Sequence, residues 1–327
     1  LLNEKKLVFT CGPSSEDDAS LQTLAKTASS LRLNVAHLTP ENLERWLGRL
    51  INLRSRAEHK FRIILDLQGA KVRVGRFPAV QQLPENVQFF FGDISHQVDR
   101  IPVPNSSVFE KTSPGDRLLL NDRRVVVLVT GKSEGCLHGI VEQNGPLSSG
   151  KGINSPDRVF EMARVMPSDA AAIQLSSHIE DLDYAISFVA DGRESELFRP
   201  LTGNTHRLIA KIEQRAAFEH LGAVAEYFDE LWLCRGDLGA EAGLKNLGAL
   251  QQRFSAAIRD LGRPCLLAGE VLGSMVTHSQ PSRAEIVQLY DAMHADFAGI
   301  VLSDETACGS QVLAVLNFVN FFFADER

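Results

Sequence analysis

The sequence predicts an α/β chain: a (β/α)8 TIM barrel with a small all-β domain inserted after its third strand. Three observations carry this expectation. Eight short apolar runs alternate with helical patterns, which favours parallel pairing, and eight such units can close into a barrel. The runs begin at residues 7, 34, 63, 172, 208, 231, 265 and 299. Seven spacings result, and six of them lie between 23 and 36; setting aside a 75-residue insert, Arg76–Gly150, brings the seventh from 109 to 34. That insert has a different texture, with β-type runs between Pro, Gly and Asn turn signals. An open doubly wound sheet is the alternative for the eight units.

The elements follow in order. Strand one is Leu7–Thr10, and Ser14-Ser15-Glu16-Asp17 then opens a helix with capping and acidic residues. Strand two is placed at Asn34–Leu38. Thr39-Pro40-Glu41 supplies an N-cap, a proline at the first helical position and a first-turn acid. Leu43, Trp46, Leu47 and Leu50 form that helix's apolar stripe. Strand three is Ile63–Asp66. The insert offers Val87–Phe91, Arg117–Leu120, Arg124–Val129 and Cys136–Val141, with turns at Pro114-Gly115 and Asn121-Asp122. The barrel resumes with Ala172–Ser176, Leu208–Ile212, Leu231–Cys234, Cys265–Ala268 and Gly299–Leu302. The expected division is a barrel from 1–75 and 151–327 and an inserted domain from 76–150. Phe318, Phe321, Phe322 and Phe323 lie too densely for one buried stripe. Most would close the barrel, and some would form a subunit contact, so a homodimer is expected.

Composition narrows the function classes. Of 327 residues, 44% are apolar and 23% charged, an ordinary globular balance that excludes wholesale disorder. No apolar run approaches the roughly 20 residues of a membrane helix, and no basic-then-apolar signal segment opens the chain. A net charge of −7 argues against a nucleic-acid partner. Five dispersed cysteines, with no CxxC pair, suit reduced thiols in a cytoplasmic protein.

Chemistry in such a barrel collects at the C-terminal ends of the strands. Read there, the expected chain presents His37, Asp66, Arg73, Ser176, Lys211, Glu213, Gly236-Asp237, Gly269-Glu270 and Asp304-Glu305. Lys211 and Glu213, two apart on a strand, point to one face; a structural ion pair is the plainer reading. Asp237 follows a glycine, so a ligand can approach its backbone closely; with Glu213 it would offer the two carboxylates that Mg2+ commonly takes. A helix cap or turn is the other reading of Asp237. Lys151, between Gly150 and Gly152, is either a phosphate contact on a loop or a hinge residue.

The chain resembles the pyruvate kinase family. The resemblance rests on Lys6-Leu-Val-Phe-Thr-Cys-Gly-Pro13, Ile64-Leu-Asp-Leu-Gln-Gly-Ala-Lys-Val-Arg-Val-Gly75, Pro114-Gly-Asp116, Gly150-Lys-Gly-Ile-Asn154, Ala210-Lys-Ile-Glu213, Arg235-Gly-Asp-Leu-Gly239, Ser282-Arg-Ala-Glu285 and Leu302-Ser-Asp-Glu-Thr-Ala307. It implies phosphoryl transfer from phosphoenolpyruvate to ADP, giving pyruvate and ATP, with Mg2+ or Mn2+. By motif, Lys211 would stabilise the phosphoryl and enolate charge, Glu213 and Asp237 would bind the metal, and Arg73 would hold phosphate. The Gly236 and Asp237 amides, with Gly269 beside them, would receive the substrate carboxylate. Ser176 and Glu305 would relay protons or support the site, and His37 and Lys151 would meet nucleotide phosphate. Lys71, arriving with Leu67, Gln68 and Val74, resembles the family's K+-independent branch; its ammonium would replace K+, which would not be required.

Several positions depart from the family pattern. His37 and Thr39 stand where an arginine and an asparagine meet nucleotide phosphates, and the further residues that help hold K+ are gone. Gly269-Glu270 replaces a Thr-Gln pair, Asp304 replaces a glycine, and the family's C-terminal domain is expected to be absent. Two alternatives therefore stay open: a metal-dependent lyase, aldolase or decarboxylase acting on a pyruvate-like keto acid, and a phosphoenolpyruvate-binding pseudoenzyme.

Overall fold

Strand β1 shows the rule that builds the barrel: Val8 joins the interior cluster while Leu7 and Phe9 are buried on the opposite face, the period-two alternation of a strand covered on both sides. The computed structural model describes residues 5–121, 123–156, 158–160, 162 and 164–324. In chain order its elements are β1 (Lys6–Thr10), α1 (Asp18–Thr27), β2 (Ser30–Asn34), α2 (Pro40–Arg56), β3 (Arg62–Leu67), β4 (Asn86–Phe91), β5 (Arg100–Val103), α3 (Ser106–Lys111), β6 (Arg117–Leu120), β7 (Val125–Ser133), β8 (Cys136–Gln143) and β9 (Ile153–Asn154). There follow α4 (Pro167–Ser176), β10 (Leu182–Ile186), α5 (Glu194–Thr202), β11 (Leu208–Ile212), α6 (Leu221–Tyr227), β12 (Glu230–Cys234), α7 (Arg235–Ala242), α8 (Leu244–Leu261), β13 (Cys265–Ala268), α9 (Arg283–His294), β14 (Gly299–Leu302), α10 (Asp304–Ala307) and α11 (Val312–Phe322).

The chain divides into two compact units. The first comprises 1–69, 164–236 and 245–327. Its parallel strands close in the order β1-β14-β13-β12-β11-β10-β3-β2, a (β/α)8 barrel. Val8, Ile64, Ala185, Ile209, Trp232, Leu266 and Val301 fill the interior, the layered packing such barrels require. At the N-terminal ends of the strands, fully buried Asp183 accepts from Arg62 at 2.7 Å and Arg207 at 2.6 Å, while Glu230 pairs with Lys6 and accepts from the Trp232 indole at 2.8 Å. The helix signals hold: Asp17 and Thr39 cap α1 and α2 through Ser20 and Asn42, and Leu43, Trp46, Leu47 and Leu50 are the buried stripe.

Two strand assignments need correction. Strand two is Ser30–Asn34, not Asn34–Leu38. The Asn34 side chain caps a short 3-10 turn at Val35–His37, so the apolar run after it is not extended. Ala172–Ser176 is the end of helix α4, which starts with Pro167 at its first position and is rich in alanine, the strongest helix former. The strand in that unit is Leu182–Ile186, where buried Asp183 interrupts the apolar run.

The second unit comprises 70–163 and 237–244, wider than the expected 76–150. Its six-stranded sheet has the order β5-β4-β8-β7-β6-β9. The pairs are antiparallel except β4 with β5. Val87, Phe89, Ile101, Leu118, Leu120, Val127 and Leu137 belong to its own core. The insert carries α3 as well as strands. Asp122 of the expected turn lies outside the described residues.

Candidate active site

Four charged side chains meet at the C-terminal end of the barrel, on β2, β3, β11 and just past β11: Arg32, Asp66, Lys211 and Glu213. All are buried. The Lys211 ammonium lies 3.1 Å from Asp66 Oδ1, 3.0 Å from Ser187 Oγ and 2.9 Å from Glu213 Oε1. The i, i+2 spacing of Lys211 and Glu213 therefore does put both on one face. Arg32 donates to Asp66 Oδ2 from Nε at 2.8 Å and from Nη2, and to Thr10 Oγ1 from Nη1 at 2.7 Å. Burial alone would raise the Asp66 carboxyl; the Lys211 and Arg32 charges outweigh it and hold that carboxyl below the usual carboxylate range. Burial likewise works against the Lys211 cation, and Asp66 and Glu213 more than compensate, so its ammonium is strongly retained.

Backbone shape fixes the rest of this cluster. Phe188 has φ +58°, uncommon for a bulky residue. Its N–H donates to Glu213 Oε2 at 3.0 Å and its carbonyl accepts from Gln214 Nε2 at 2.6 Å, so the ends of β10 and β11 hold it in that conformation. The Ser187 hydroxyl donates to Leu67 O at 2.8 Å. Gly69, at φ +58°, allows the turn after β3 to press on this strand end, since a Cβ there would sit 2.3 Å from Ser187 O. Buried Asp169 fastens that turn by accepting from the Gln68 and Gly69 amides, both at 3.0 Å.

The neighbouring strand ends are tied as firmly. Glu305 accepts from Leu272 N at 3.0 Å and Ser303 N at 2.8 Å, joining the loops after β13 and β14, and burial raises its carboxyl. The Arg235 guanidinium donates to Gly269 O and Glu270 O. Gly269 has φ +84°, and a Cβ there would lie 2.9 Å from Gly236 N. Glu270 also has positive φ, +50°. His37 is exposed at the end of its 3-10 turn.

Ser176 is a correction. It does not lie at a strand end; it is buried in α4, with its hydroxyl 2.7 Å from Ala172 O and 2.9 Å from Tyr184 Oη. Ser187 is the serine that meets Lys211. The misplaced strands hid Ser187 and Arg32; a lone arginine between Leu31 and Leu33 was the signal for the second, because a charge inside a buried strand needs a partner.

The remaining residues belong to the second unit. Lys71 Nζ lies 2.5 Å from Asp237 Oδ1, in the first turn of α7. Gly152 leaves room for that lysine, whose Cε would be 3.0 Å from any Cβ there. Asn154 donates to Glu241 at 2.8 Å. Arg73 Nη1 donates to Gly150 O at 2.7 Å, while its Nε is buried without a partner. Lys151 is exposed, and its carbonyl accepts from Val74 N at 2.8 Å.

Among the described residues no group of three or more His, Cys, Asp or Glu is arranged to hold a metal. A cage of protein ligands is not what Mg2+ needs; it keeps waters and takes one or two carboxylates together with substrate oxygens. Glu213 and Asp237 are donors of that hard-oxygen kind, each with an ammonium beside it, and so fit such an ion chemically. They fall in different units.

Comparison with known proteins agrees with this layout. Residues 2–314 match the family described as "Pyruvate kinase, barrel domain". The pyruvate kinase of Methylorubrum extorquens is 28% identical over 319 residues, covering 96% of this chain and 67% of that protein. One from Agrobacterium vitis is 30% identical over 310 residues, covering 93% and 65%. The crystal structure of pyruvate kinase from Pyrobaculum aerophilum superposes with a TM-score of 0.86 at 26% identity, covering 99% of this chain and 73% of that one. The chain thus spans about two thirds of the length of its curated relatives.

Proposed function

The chain belongs to the pyruvate kinase family, and from that premise we propose that it transfers the phosphoryl group of phosphoenolpyruvate to ADP. The observation that supports this most is the fixed Lys211 ammonium at the barrel mouth, braced by Asp66, Ser187 and Glu213. Phosphoryl transfer is mainly positioning and charge neutralisation. A cation held without rotamer freedom in a buried setting serves that purpose, since it needs no reorganisation as charge moves from phosphate to enolate oxygen.

In this reading Lys211 stabilises the phosphoryl oxygens and then the enolate. Glu213 and Asp237 are the carboxylates that would hold Mg2+, and the ion would supply electrostatic stabilisation of phosphate and enolate oxygens. Arg73 binds phosphate. The Gly236 and Asp237 amides, at the start of α7, receive the carboxylate, with Gly269 beside Gly236. Glu305 positions the loops after β13 and β14. Lys71 offsets Asp237 and supplies a tethered monovalent charge, so K+ is not required; Lys151 and His37 face nucleotide phosphate. A coupled assay of pure protein with Mg2+, phosphoenolpyruvate and ADP, run with and without K+, tests the proposal: turnover in both supports it, and none in either removes it.

A second reading is a metal-assisted reaction on a keto acid without nucleotide. It is favoured by His37, a weaker phosphate ligand than an arginine fork, and by the acid at Glu270. Consumption of oxaloacetate in the absence of nucleotide would support it.

A further inference from the structure

We propose that the inserted unit carries a small-ligand pocket on the outer face of its sheet, one that takes a monoanionic carboxylate with an apolar body. The proposal is independent of phosphoryl transfer, since none of the residues assigned to that reaction lines the pocket. Its floor is the cross-strand pair Leu119 on β6 and Val126 on β7. Both point away from the unit's own core, because their chain neighbours Leu118, Leu120, Val125 and Val127 fill it and strand side chains alternate. The outward face of an antiparallel pair is ordinarily polar. Here it is apolar, and the two residues are only 4% and 8% exposed. Arg117, Arg123, Gln143 and Pro156 stand around them and border a cavity of about 300 Å3, at the small end of ligand sites.

The charges in its walls choose the ligand. Arg117 is already committed to Glu142, which accepts from Nε at 2.6 Å and Nη2 at 2.9 Å. Arg123 has no carboxylate partner among the described residues, so the three side chains sum to one positive charge. The backbone holds that arginine in an unfavourable shape: its φ is +65°, a region that favours glycine. The turn is built to keep it there. Gln143 Nε2 donates to Arg123 O at 3.1 Å and to Arg124 O at 3.2 Å, Arg124 N donates to Asn121 O at 3.0 Å, and Asn121 Nδ2 donates to Pro146 O at 2.7 Å. Strain of this kind collects at ligand clamps. One guanidinium beside an apolar floor suits a single carboxylate attached to a ring or a branched chain. A phosphate ester brings a second charge that the walls do not match. The plainer role for Arg123 is to cover the floor with its own stem, and the two roles differ in what they predict.

The test is an NMR titration of the full chain, labelled at leucine and valine methyls, with sodium benzoate against sodium chloride of equal ionic strength. Benzoate should shift the Leu119 and Val126 methyls saturably, with a Kd on the order of 1 mM for a ligand of nine non-hydrogen atoms. The Leu118 and Val127 methyls, on the core side, should stay in place. Arg123→Gln and Arg123→Gly should each weaken binding about tenfold or more, the loss of a charge-assisted hydrogen bond. Benzyl alcohol, which keeps the ring without the charge, should bind as weakly to the wild type, and inorganic phosphate should give no saturable shift. Arg123→Gly also separates a clamp from a cover: it should melt within about 2 °C of the wild type, since glycine relieves the backbone as the side chain is removed. Leu119 and Val126 methyls that stay still up to about fifty times that Kd would overturn the proposal. So would unchanged affinity in both variants, benzyl alcohol binding as tightly as benzoate, saturable binding of phosphate there, or an Arg123→Gly variant that melts below the stated range.

Discussion

Lys211 carries the central charge at the scale of single residues, and Lys211→Met should lower kcat by about 100-fold or more, the range seen when a preorganised electrostatic donor is lost. Circular dichroism and steady-state kinetics on the same preparation separate this from unfolding. Gly269 gives a second prediction. Its φ of +84° and the 2.9 Å separation of any Cβ from Gly236 N mean that Gly269→Thr, the side chain found in the family pattern, must displace the start of α7. It should therefore destabilise the protein rather than restore a substrate contact, with a lower melting temperature as the measurement. The Lys211–Glu213 pair was legible because its spacing encodes a shared face. The conformation at Gly269 was not, since the sequence shows only that a hydroxyl is missing and not that the backbone has left room for none.

At the scale of elements, capping and periodicity translated directly. Thr39 caps α2, so Thr39→Ala should cost about 1 kcal/mol in chemical denaturation. Apolar runs were a poorer guide to β2 and β10, because each of those strands carries one buried, paired charge, Arg32 or Asp183, that breaks the run. Asp183 also gives the pH prediction. Burial raises its carboxyl, but Arg62 and Arg207 outweigh that, and its folded-state pKa lies below the unfolded value near 3.9. The unfolded chain therefore binds the proton more readily. The stabilisation is complete above about pH 4 to 5 and is lost as pH falls through the depressed folded value. Asp183→Asn should cost about 3 kcal/mol at neutral pH by stranding two arginines, and the gap from wild type should narrow in acid. A gap that stayed constant down to acid unfolding would contradict the assignment.

For the whole molecule, the barrel and its inserted sheet were legible from strand counting, because six strands lay where the apolar runs placed them and the long gap marked the insert. The reach of the second unit was not: residues 237–244 group with it although the sequence places them after a barrel strand. No helix among the described residues is long and apolar enough to cross a membrane. Helix α11 buries Val315, Leu316 and Val319 yet leaves Leu313 and Phe321 exposed, at 63% and 78%. These are the side chains available for the expected homodimer contact. Light scattering should report a dimer that Phe321→Glu weakens; a monomeric wild type would refute it.

The most direct measurement is 31P NMR of wild type and Lys211→Met incubated with Mg2+, phosphoenolpyruvate and ADP. The wild type should convert the phosphoenolpyruvate resonance into the γ-phosphate signal of ATP while the β-phosphate signal of ADP gives way to that of ATP, and the variant should leave the phosphoenolpyruvate resonance nearly unchanged. A wild type that forms no ATP, or a variant that forms it at the wild-type rate, would contradict phosphoryl transfer at this lysine.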